Sequence, residues 1–323
     1  MPLYKSSITQ NLDVAALRQS LSDYQHAEIF QPSESWLSYL KMYQLASLQE
    51  QYRLRVGVVS CDAYDLVVQH YMQAGASRGT VVLVHGYMDH VGLYSQLISE
   101  VLGQGWDVLC YDLPGHGLSS GDSYAIDHFS RYAEQLEKIL QQGVCEKPCV
   151  MLGQSTGGAI VLAHQKLFAS EQTTDPIAQR ILLAPLIRPT QYHAIYWKYV
   201  VLRFFLKRIR RFYSNNSHDK DFLYFIRHQD PLQKQWVAVN WVGAMLEWVD
   251  LIEGGQPQSI AITLIQGTDD GTVDWQHNLP VLQRLFPSID VKLVEEGRHH
   301  LVNEGLPWRQ QVFDKIREVL MRL

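Results

Sequence analysis

The stretch Val150-Met-Leu-Gly-Gln-Ser-Thr-Gly-Gly-Ala-Ile-Val-Leu-Ala-His164 predicts a buried strand, a tight turn and a helix, in that order. Its centre, from Gly153 to Gly157, has the spacing G-x-S-x-G. Glycine suits both ends of this turn because a side chain there would collide with the neighbouring backbone. Between a strand and a helix, this spacing is typical of a nucleophile elbow, which lifts the hydroxyl of Ser155 above the sheet.

Ser155 stands just before the helix that is predicted to begin near Thr156. The free backbone N–H groups and the dipole at a helix N-terminus favour negative charge. Acyl transfer needs such an environment because its tetrahedral intermediate carries an oxyanion. The same residues also fit an ordinary strand-to-helix turn. The choice between these interpretations depends on whether a base and a carboxylate follow.

Length and composition set wide bounds. The chain of 323 residues allows one large α/β domain with an insertion, or two ordinary domains. A hydrophobic content of 46% and a charged content of 19% are ordinary for a globular protein. The net charge of −5 gives no overall attraction to nucleic acid, so we expect no nucleic-acid partner.

Four cysteines have neither the spacing of a metal site nor that of a disulfide framework, and we expect reduced thiols at Cys61, Cys110, Cys145 and Cys149. Residues 1–8 lack the basic region, apolar core and cleavage site of a signal peptide. No run of about eighteen apolar residues occurs. These features predict a cytoplasmic protein that does not span a membrane.

Strands and helices alternate along much of the chain. A hairpin is predicted at residues 54–59 and 64–71, and it leads into the sheet. Further short strands are predicted at 80–84, 106–111, 149–152, 180–184, 261–265 and 291–294. Helical intervals separate these strands. The alternation predicts an α/β fold, with a mostly parallel central sheet flanked by helices on both faces.

The alternation stops between about Pro185 and Gly255, where the composition becomes aromatic. We therefore predict a helical cap (lid) at residues 186–255, inserted into a core made of residues 51–185 and 256–323. Residues 1–50 carry scattered apolar positions that predict an N-terminal helical extension packed on this core. No chemistry is assigned to the extension.

The predicted cap contains a basic segment. Six basic residues and no acidic one fall between Lys198 and Arg211, and they alternate with apolar residues. On a helix, Arg203, Lys207, Arg210 and Arg211 would share one stripe. Such a helix fits peripheral contact with the anionic inner face of a membrane. It also fits a lid whose apolar side covers the active site while its charges face solvent.

A serine nucleophile needs a base to accept its proton and a carboxylate to orient that base. Both residue types follow strands after the predicted cap. Gly267-Thr-Asp-Asp-Gly-Thr-Val273 follows one strand, and Glu295-Glu-Gly-Arg-His-His-Leu301 follows the next. The chain order is therefore serine, aspartate, histidine. We expect these residues to converge at one edge of the sheet.

With these motifs the chain, over about residues 55–320, resembles the α/β-hydrolases of the monoglyceride lipase, lysophospholipase and serine aminopeptidase S33 group. Besides the elbow, three stretches carry the resemblance. They are His85-Gly-Tyr-Met-Asp-His90, which resembles the oxyanion loop, Asp112-Leu-Pro-Gly-His-Gly-Leu-Ser119, and Asp230-Pro-Leu232. The resemblance implies an α/β-hydrolase fold with an inserted helical cap.

The resemblance also assigns roles within the two doublets. The acid of this group lies in a G-x-x-D-x-x-V pattern, which fits residues 267–273 and selects Asp270 over Asp269. Its histidine lies in a segment like G-x-R-H-x-L-x-N-E, which fits residues 297–304 and selects His299 over His300. Ser155, Asp270 and His299 are thus the predicted catalytic residues.

The backbone N–H groups of Tyr87 and Thr156 are the oxyanion hole that the resemblance implies. Tyrosine at position 87 replaces a small residue of the group, which would put its side chain near the acyl pocket. His85, His90 and His116 are then residues that structure loops, rather than catalytic or metal-binding groups. No set of metal ligands is apparent.

The predicted function is that of a serine hydrolase that cleaves carboxylic esters through an acyl-serine, as a monoacylglycerol lipase or lysophospholipase-like esterase. Its partner is a small-molecule acyl ester or lipid, and no cofactor is required. One alternative is a peptidase or acyltransferase with the same triad, because fold and triad do not determine the acyl acceptor. Another is a non-catalytic homologue that binds an apolar ligand under the cap. Chain length, head group and oligomeric state stay open.

Overall fold

The computed structural model describes residues 12–143, 145, 148–168 and 177–323. The first eleven residues of the predicted N-terminal extension lie outside this set. Within it, the strands are β1 Arg53–Cys61, β2 Tyr64–Met72, β3 Thr80–Val84, β4 Asp107–Tyr111, β5 Cys149–Gln154, β6 Ile177–Leu183, β7 Arg208–Arg210, β8 Trp236–Ala238, β9 Ile262–Gly267 and β10 Asp290–Val294. The α-helices are α1 Val14–Gln19, α2 Glu34–Met42, α3 Ala46–Gln51, α4 Ser95–Gly103, α5 Ser130–Leu140, α6 Thr156–Phe168, α7 Tyr192–Leu202, α8 Lys220–His228, α9 Val239–Glu253, α10 Trp275–Leu285 and α11 Leu306–Met321.

Eight strands form one sheet in the order β1-β2-β4-β3-β5-β6-β9-β10. The hairpin strands pair antiparallel, as does β2 with β4, and all other neighbours in this sheet are parallel. This arrangement confirms the predicted α/β class. Since parallel strands end at the same edge, the loops after β3, β5, β9 and β10 meet there.

The central strand β3 shows why the sheet is covered on both faces. All five of its residues are buried. Val81 and Leu83 pack in one apolar layer, which includes residues of α2, α4 and α11. Val82 and Val84 pack in the other layer, which includes residues of α5, α6 and α9. Period-two alternation therefore places half of each central strand in each layer.

The predicted insertion at residues 186–255 contains α7, α8 and α9, but it is not purely helical. Strands β7 and β8 form an antiparallel pair within it. The basic helix predicted over residues 198–211 is wrong, because α7 ends at Leu202. Backbone groups of Lys207 and Arg211 instead hydrogen-bond Val239 and Gln235, so pairing with a distant strand replaces helix hydrogen bonds here.

Helix α7 has no buried residue, and large apolar side chains nearby, including Trp197, Phe204 and Phe205, are exposed. Peripheral membrane contact through this surface stays a prediction. Across the part of the chain that the structure describes, the helices fall short of the length and hydropathy that a bilayer-crossing segment requires. All four cysteines are free thiols, as predicted.

Candidate active site

Ser155 lies at the turn between β5 and α6. Its backbone has a φ of 54°, the left-handed region that costs a non-glycine residue about 1–2 kcal/mol. Gly157 shows why the turn has this sequence. A Cβ added there would lie 2.0 Å from the carbonyl oxygen of Val84, so only glycine lets α6 begin against β3. The G-x-S-x-G spacing thus corresponds to a strained strand–turn–helix bend.

A chain of hydrogen bonds joins Ser155, His299 and Asp270. His299 Nε2 lies 2.8 Å from Ser155 Oγ, and His299 Nδ1 lies 2.8 Å from Asp270 Oδ2. Asp270 follows β9, and His299 follows β10. The two loops approach so closely that a Cβ on Gly267 would lie 2.2 Å from the carbonyl oxygen of Gly297, and only glycine fits at position 267. The structure therefore brings the three predicted catalytic side chains together.

The carboxylate of Asp270 is buried and well supplied with donors. Backbone N–H groups of Thr272 and Val273 donate to Oδ1 over 2.8 and 3.1 Å, and Gln266 Nε2 donates to Oδ2 over 3.1 Å. Burial raises the pKa of Asp270, but His299 and the two backbone hydrogen bonds outweigh burial and hold that pKa below its ordinary value. Asp270 is thus an ionised acceptor that orients the imidazole.

The second members of the two doublets lie elsewhere. Asp269 is exposed and forms an ion pair with Arg298, with 3.2 Å between Oδ2 and Nε. His300 is buried, and its Nε2 lies 3.2 Å from a carboxylate oxygen of Asp89. Neither side chain belongs to the hydrogen-bond chain that ends at Ser155.

A cavity of about 350 Å³ opens above Ser155. Its volume is in the range of small-molecule sites. Tyr87 and Thr156, the predicted oxyanion-hole residues, also line it. Its apolar wall comes largely from the insertion and contains Leu186, Ile195, Ile209, Ile226, Trp241, Val242 and Met245. The ring of Tyr87 stacks on Trp241 at a centroid distance of 3.6 Å, so its side chain forms part of this wall.

The family model described as "Serine aminopeptidase, S33" matches residues 75–305. The chain belongs to the serine aminopeptidase S33 family. It is also similar to monoglyceride lipase of Rattus norvegicus, with 28% identity over 265 residues that cover 77% of this chain and 84% of that protein. A protein of Haemophilus influenzae named "Probable lysophospholipase L2" is 22% identical over 281 residues, which cover 79% of this chain and 88% of that protein.

The fold of this S33-family chain matches solved structures. A soluble variant of monoglyceride lipase from Saccharomyces cerevisiae, in complex with a substrate analog, has a TM-score of 0.72 and 18% identity. The match covers 83% of this chain and 96% of that chain. At this identity, the likeness is evidence for the fold alone. Family and fold together confirm the α/β-hydrolase prediction.

Side chains behind the predicted oxyanion loop, residues 85–90, hold the backbone next to Tyr87. The N–H of Gly86 donates to Tyr94 Oη over 3.0 Å, and Tyr94 Oη donates to Asp89 Oδ2 over 2.8 Å. Burial raises the pKa of Asp89, but His300, together with His85 and the hydrogen bond from Tyr94, outweighs burial and lowers that pKa. The second histidine of the doublet thus contacts the predicted oxyanion loop through Asp89, which its sequence position did not reveal.

Two further histidines structure loops, as predicted. The N–H of Leu113 donates to His85 Nε2 over 2.9 Å, so His85 Nδ1 carries the proton and donates to the carbonyl oxygen of Gly86 over 2.7 Å. His116 Nδ1 lies 2.8 Å from the carbonyl oxygen of Pro114. Burial lowers the pKa of both imidazoles, which favours their neutral forms.

The third histidine, His90, belongs to a buried network that sequence reasoning missed. Its Nε2 lies 2.9 Å from Asp230 Oδ2, and Tyr43 Oη donates to Asp230 Oδ1 over 2.6 Å. Burial lowers the pKa of His90, but Asp230 outweighs burial and raises it. The network joins the predicted oxyanion loop, the predicted insertion and the N-terminal helices. No local pattern signals it, because Tyr43 and Asp230 are 187 residues apart.

Proposed function

We propose that this S33-family α/β-hydrolase is a serine esterase that cleaves lipid esters of the monoacylglycerol or lysophospholipid type. The hydrogen-bond chain from Asp270 through His299 to Ser155, beneath a largely apolar cavity, carries the proposal. Similarity to monoglyceride lipases over 77% of the chain supports a lipid ester as substrate. Peptidase and acyltransferase activities, and ligand binding without catalysis, are the alternatives that the experiment below separates.

In the proposed acylation step, Ser155 Oγ forms a bond to the ester carbonyl carbon while His299 Nε2 accepts the hydroxyl proton. Asp270 stabilises the imidazolium that results. The carbonyl oxygen becomes an oxyanion, and the N–H groups of Tyr87 and Thr156 donate to it. When the ester bond breaks, the leaving alcohol takes the proton from His299, and the acyl group stays on Ser155.

Deacylation repeats these steps with water. His299 accepts a proton from the water while the water oxygen attacks the acyl carbon. His299 then returns that proton to Ser155 Oγ as the bond between Ser155 and the acyl group breaks. The products are a free carboxylic acid and an alcohol. The apolar wall formed by Leu186, Trp241, Met245 and their neighbours suits an acyl chain, since it removes apolar surface from water.

The experiment compares wild type, Ser155→Ala and Ser35→Ala with a fluorophosphonate probe and with p-nitrophenyl esters of increasing chain length. Ser35 is an exposed serine on α2 and controls for non-specific labelling. We expect Ser155→Ala to lose labelling and turnover, by roughly 10⁴-fold or more, whereas Ser35→Ala behaves like wild type. Labelling of wild type without turnover on any ester would direct attention to amides or acyl transfer. Absence of both would favour ligand binding without catalysis.

A further inference from the structure

One permanent positive charge lies in the wall of the active-site cavity. Ile209 and Arg211 line the cavity, whereas Arg208 and Arg210 are exposed and do not line it. This pattern follows from β7 and its extension, because successive side chains of a strand point to opposite sides. The pairing of β7 with β8 thus turns one arginine of the basic segment toward the substrate and leaves its neighbours in solvent.

Neighbouring residues fix the position of Arg211 without neutralising it. Its guanidinium donates to Gln233 Oε1. Gln233 Nε2 donates in turn to Asp230 Oδ2 over 2.9 Å, which directs the amide oxygen toward Arg211. The backbone N–H of Arg211 donates to the carbonyl oxygen of Gln235 over 2.8 Å. A neutral amide orients the guanidinium, but it does not supply a countercharge.

Within the described ranges, no carboxylate lies within ion-pairing distance of Arg211. By contrast, Arg188, Arg298 and Arg317 pair with Glu253, Asp269 and Glu100. The Nε of Arg211 is buried and has no hydrogen-bond partner. A partly buried guanidinium in this state is costly unless an anion binds it.

Other basic side chains lie near Arg211, whereas Asp89, a carboxylate of the cavity lining, pairs with His300. Arg211 and Arg227 both lie over the ring of Tyr213, at 4.5 and 5.6 Å from its centroid. Residues 176–218 contain eight basic residues and no acidic one. Burial raises the pKa of the Tyr87 phenol well above its ordinary value, and the positive charge of Arg211 opposes this as a smaller effect. The unpaired positive charge of Arg211, with Arg227 on the same ring, attracts an anion to this part of the cavity.

We propose that Arg211 binds the phosphate of the substrate headgroup, so that this enzyme prefers lysophospholipids to neutral monoacylglycerols. The inference rests on the proposed esterase activity. The planar guanidinium fork matches phosphate oxygens, and Arg211 lines the same cavity as Ser155, so the proposed pose places the ester at Ser155 and the phosphate at Arg211. Asn216 also lines this cavity, and its Oδ1 has no hydrogen-bond partner, which leaves an acceptor for a headgroup hydroxyl.

The test measures kcat/KM for 1-octanoylglycerol and for 1-octanoylglycerol 3-phosphate below their micellar concentrations, so that binding to an interface does not contribute. Wild type, Arg211→Gln, Arg211→Lys and Arg210→Gln are compared. We expect wild type to prefer the phosphate ester. Arg211→Gln should lose roughly 10- to 100-fold on that substrate and less than about threefold on the neutral one. Arg211→Lys should keep part of the preference, because it keeps the charge without the fork.

Arg210→Gln is the matched control, since it removes an exposed positive charge next to Arg211 and should change the ratio of the two substrates little. Equal losses by Arg211→Gln on both substrates would overturn the inference and leave the esterase assignment intact. Hydrolysis of neither substrate by wild type would overturn both. Inorganic phosphate, added to the neutral-ester assay, tests whether the site binds free phosphate rather than the phosphate of a lipid headgroup. Inhibition of wild type but not of Arg211→Gln, without preference for the phosphate ester, would assign the site to free phosphate and overturn headgroup recognition.

Discussion

Asp269 and Asp270 are adjacent in the chain but have opposite surroundings. Asp270 is 7% exposed and accepts hydrogen bonds from two backbone N–H groups and Gln266. The side chain of Asp269 is 60% exposed, and it faces Arg298 in solvent. A surface ion pair of this kind contributes roughly 0–1 kcal/mol. At the scale of single residues, burial and donor count therefore separate the two carboxylates.

Asp270→Asn should lower kcat by roughly 10³- to 10⁴-fold, because an amide does not hold the imidazole in the required tautomer or stabilise its charge. Asp269→Asn should stay within about threefold of wild type. Steady-state kinetics on one ester, with thermal unfolding to check that both variants fold, measure the difference. Similar losses in the two variants would contradict the assignment of Asp270.

Helix α2 shows how an element outside the eight-stranded sheet supports the site. Ser33 caps its N-terminus, and its inner face buries Trp36, Tyr39 and Leu40 against the core. The next residue after the helix, Tyr43, donates to Asp230, which pairs with His90 of the predicted oxyanion loop. The side chains of Tyr43 and Asp230 thus link the N-terminal helices to the loop that contains Tyr87. The sequence had assigned no chemistry to these helices.

Tyr43→Phe should lower the free energy of unfolding by about 1.5–3 kcal/mol, because it leaves a buried carboxylate one hydrogen bond short. Tyr111→Phe is the control. Tyr111 is also fully buried, but its hydroxyl has no hydrogen-bond partner, so its removal should cost little or stabilise. Urea unfolding measures both variants. If the two variants lose equal stability, the hydrogen bond to Asp230 does not contribute as argued.

Across the whole molecule, buried histidines that favour the neutral form make stability depend on pH. Burial, with a smaller effect of Arg55, lowers the pKa of His70 from 6.5 to about 4. Burial also lowers the pKa of His85 and His116. Below pH 6.5 the unfolded chain binds protons that the folded chain does not, so stability falls as pH falls. His90 has the opposite sign, because its raised pKa stabilises at low pH and loses that contribution as pH rises.

The free energy of unfolding should therefore fall between about pH 6.5 and pH 4, and His70 alone should account for roughly 2 kcal/mol of the fall at about pH 5. His70→Gln should flatten the pH profile by that amount. His26→Gln should leave the slope unchanged, because the side chain of His26 is 81% exposed. Urea unfolding at several pH values measures the slopes. An unchanged slope in His70→Gln would contradict the burial argument.

The sequence by itself determined the order along the chain of the strands of the large sheet and the position of the elbow, but not the elements of the insertion. Both depend on short-range constraints. Apolar runs of five or six residues predict central strands, and a Cβ at Gly157 has no space in a strand–turn–helix bend. The resemblance to a known family then selected Asp270 and His299, and the structure brings both side chains into contact with each other and, through His299, with Ser155.

Only the tertiary structure decided which residues support or modify this site. The basic segment has a helical stripe, yet Arg208–Arg210 pairs as a strand with Trp236–Ala238. The backbone hydrogen bonds of this strand go to residues distant in the chain, and the local periodicity of a sequence contains no information about such partners. That pairing, with the hydrogen bonds to Gln233 and Gln235, places Arg211 in the cavity wall. Tyr43 and Asp230 likewise meet across 187 residues. Contacts of this kind depend on how layers pack, and no window of the sequence contains both partners.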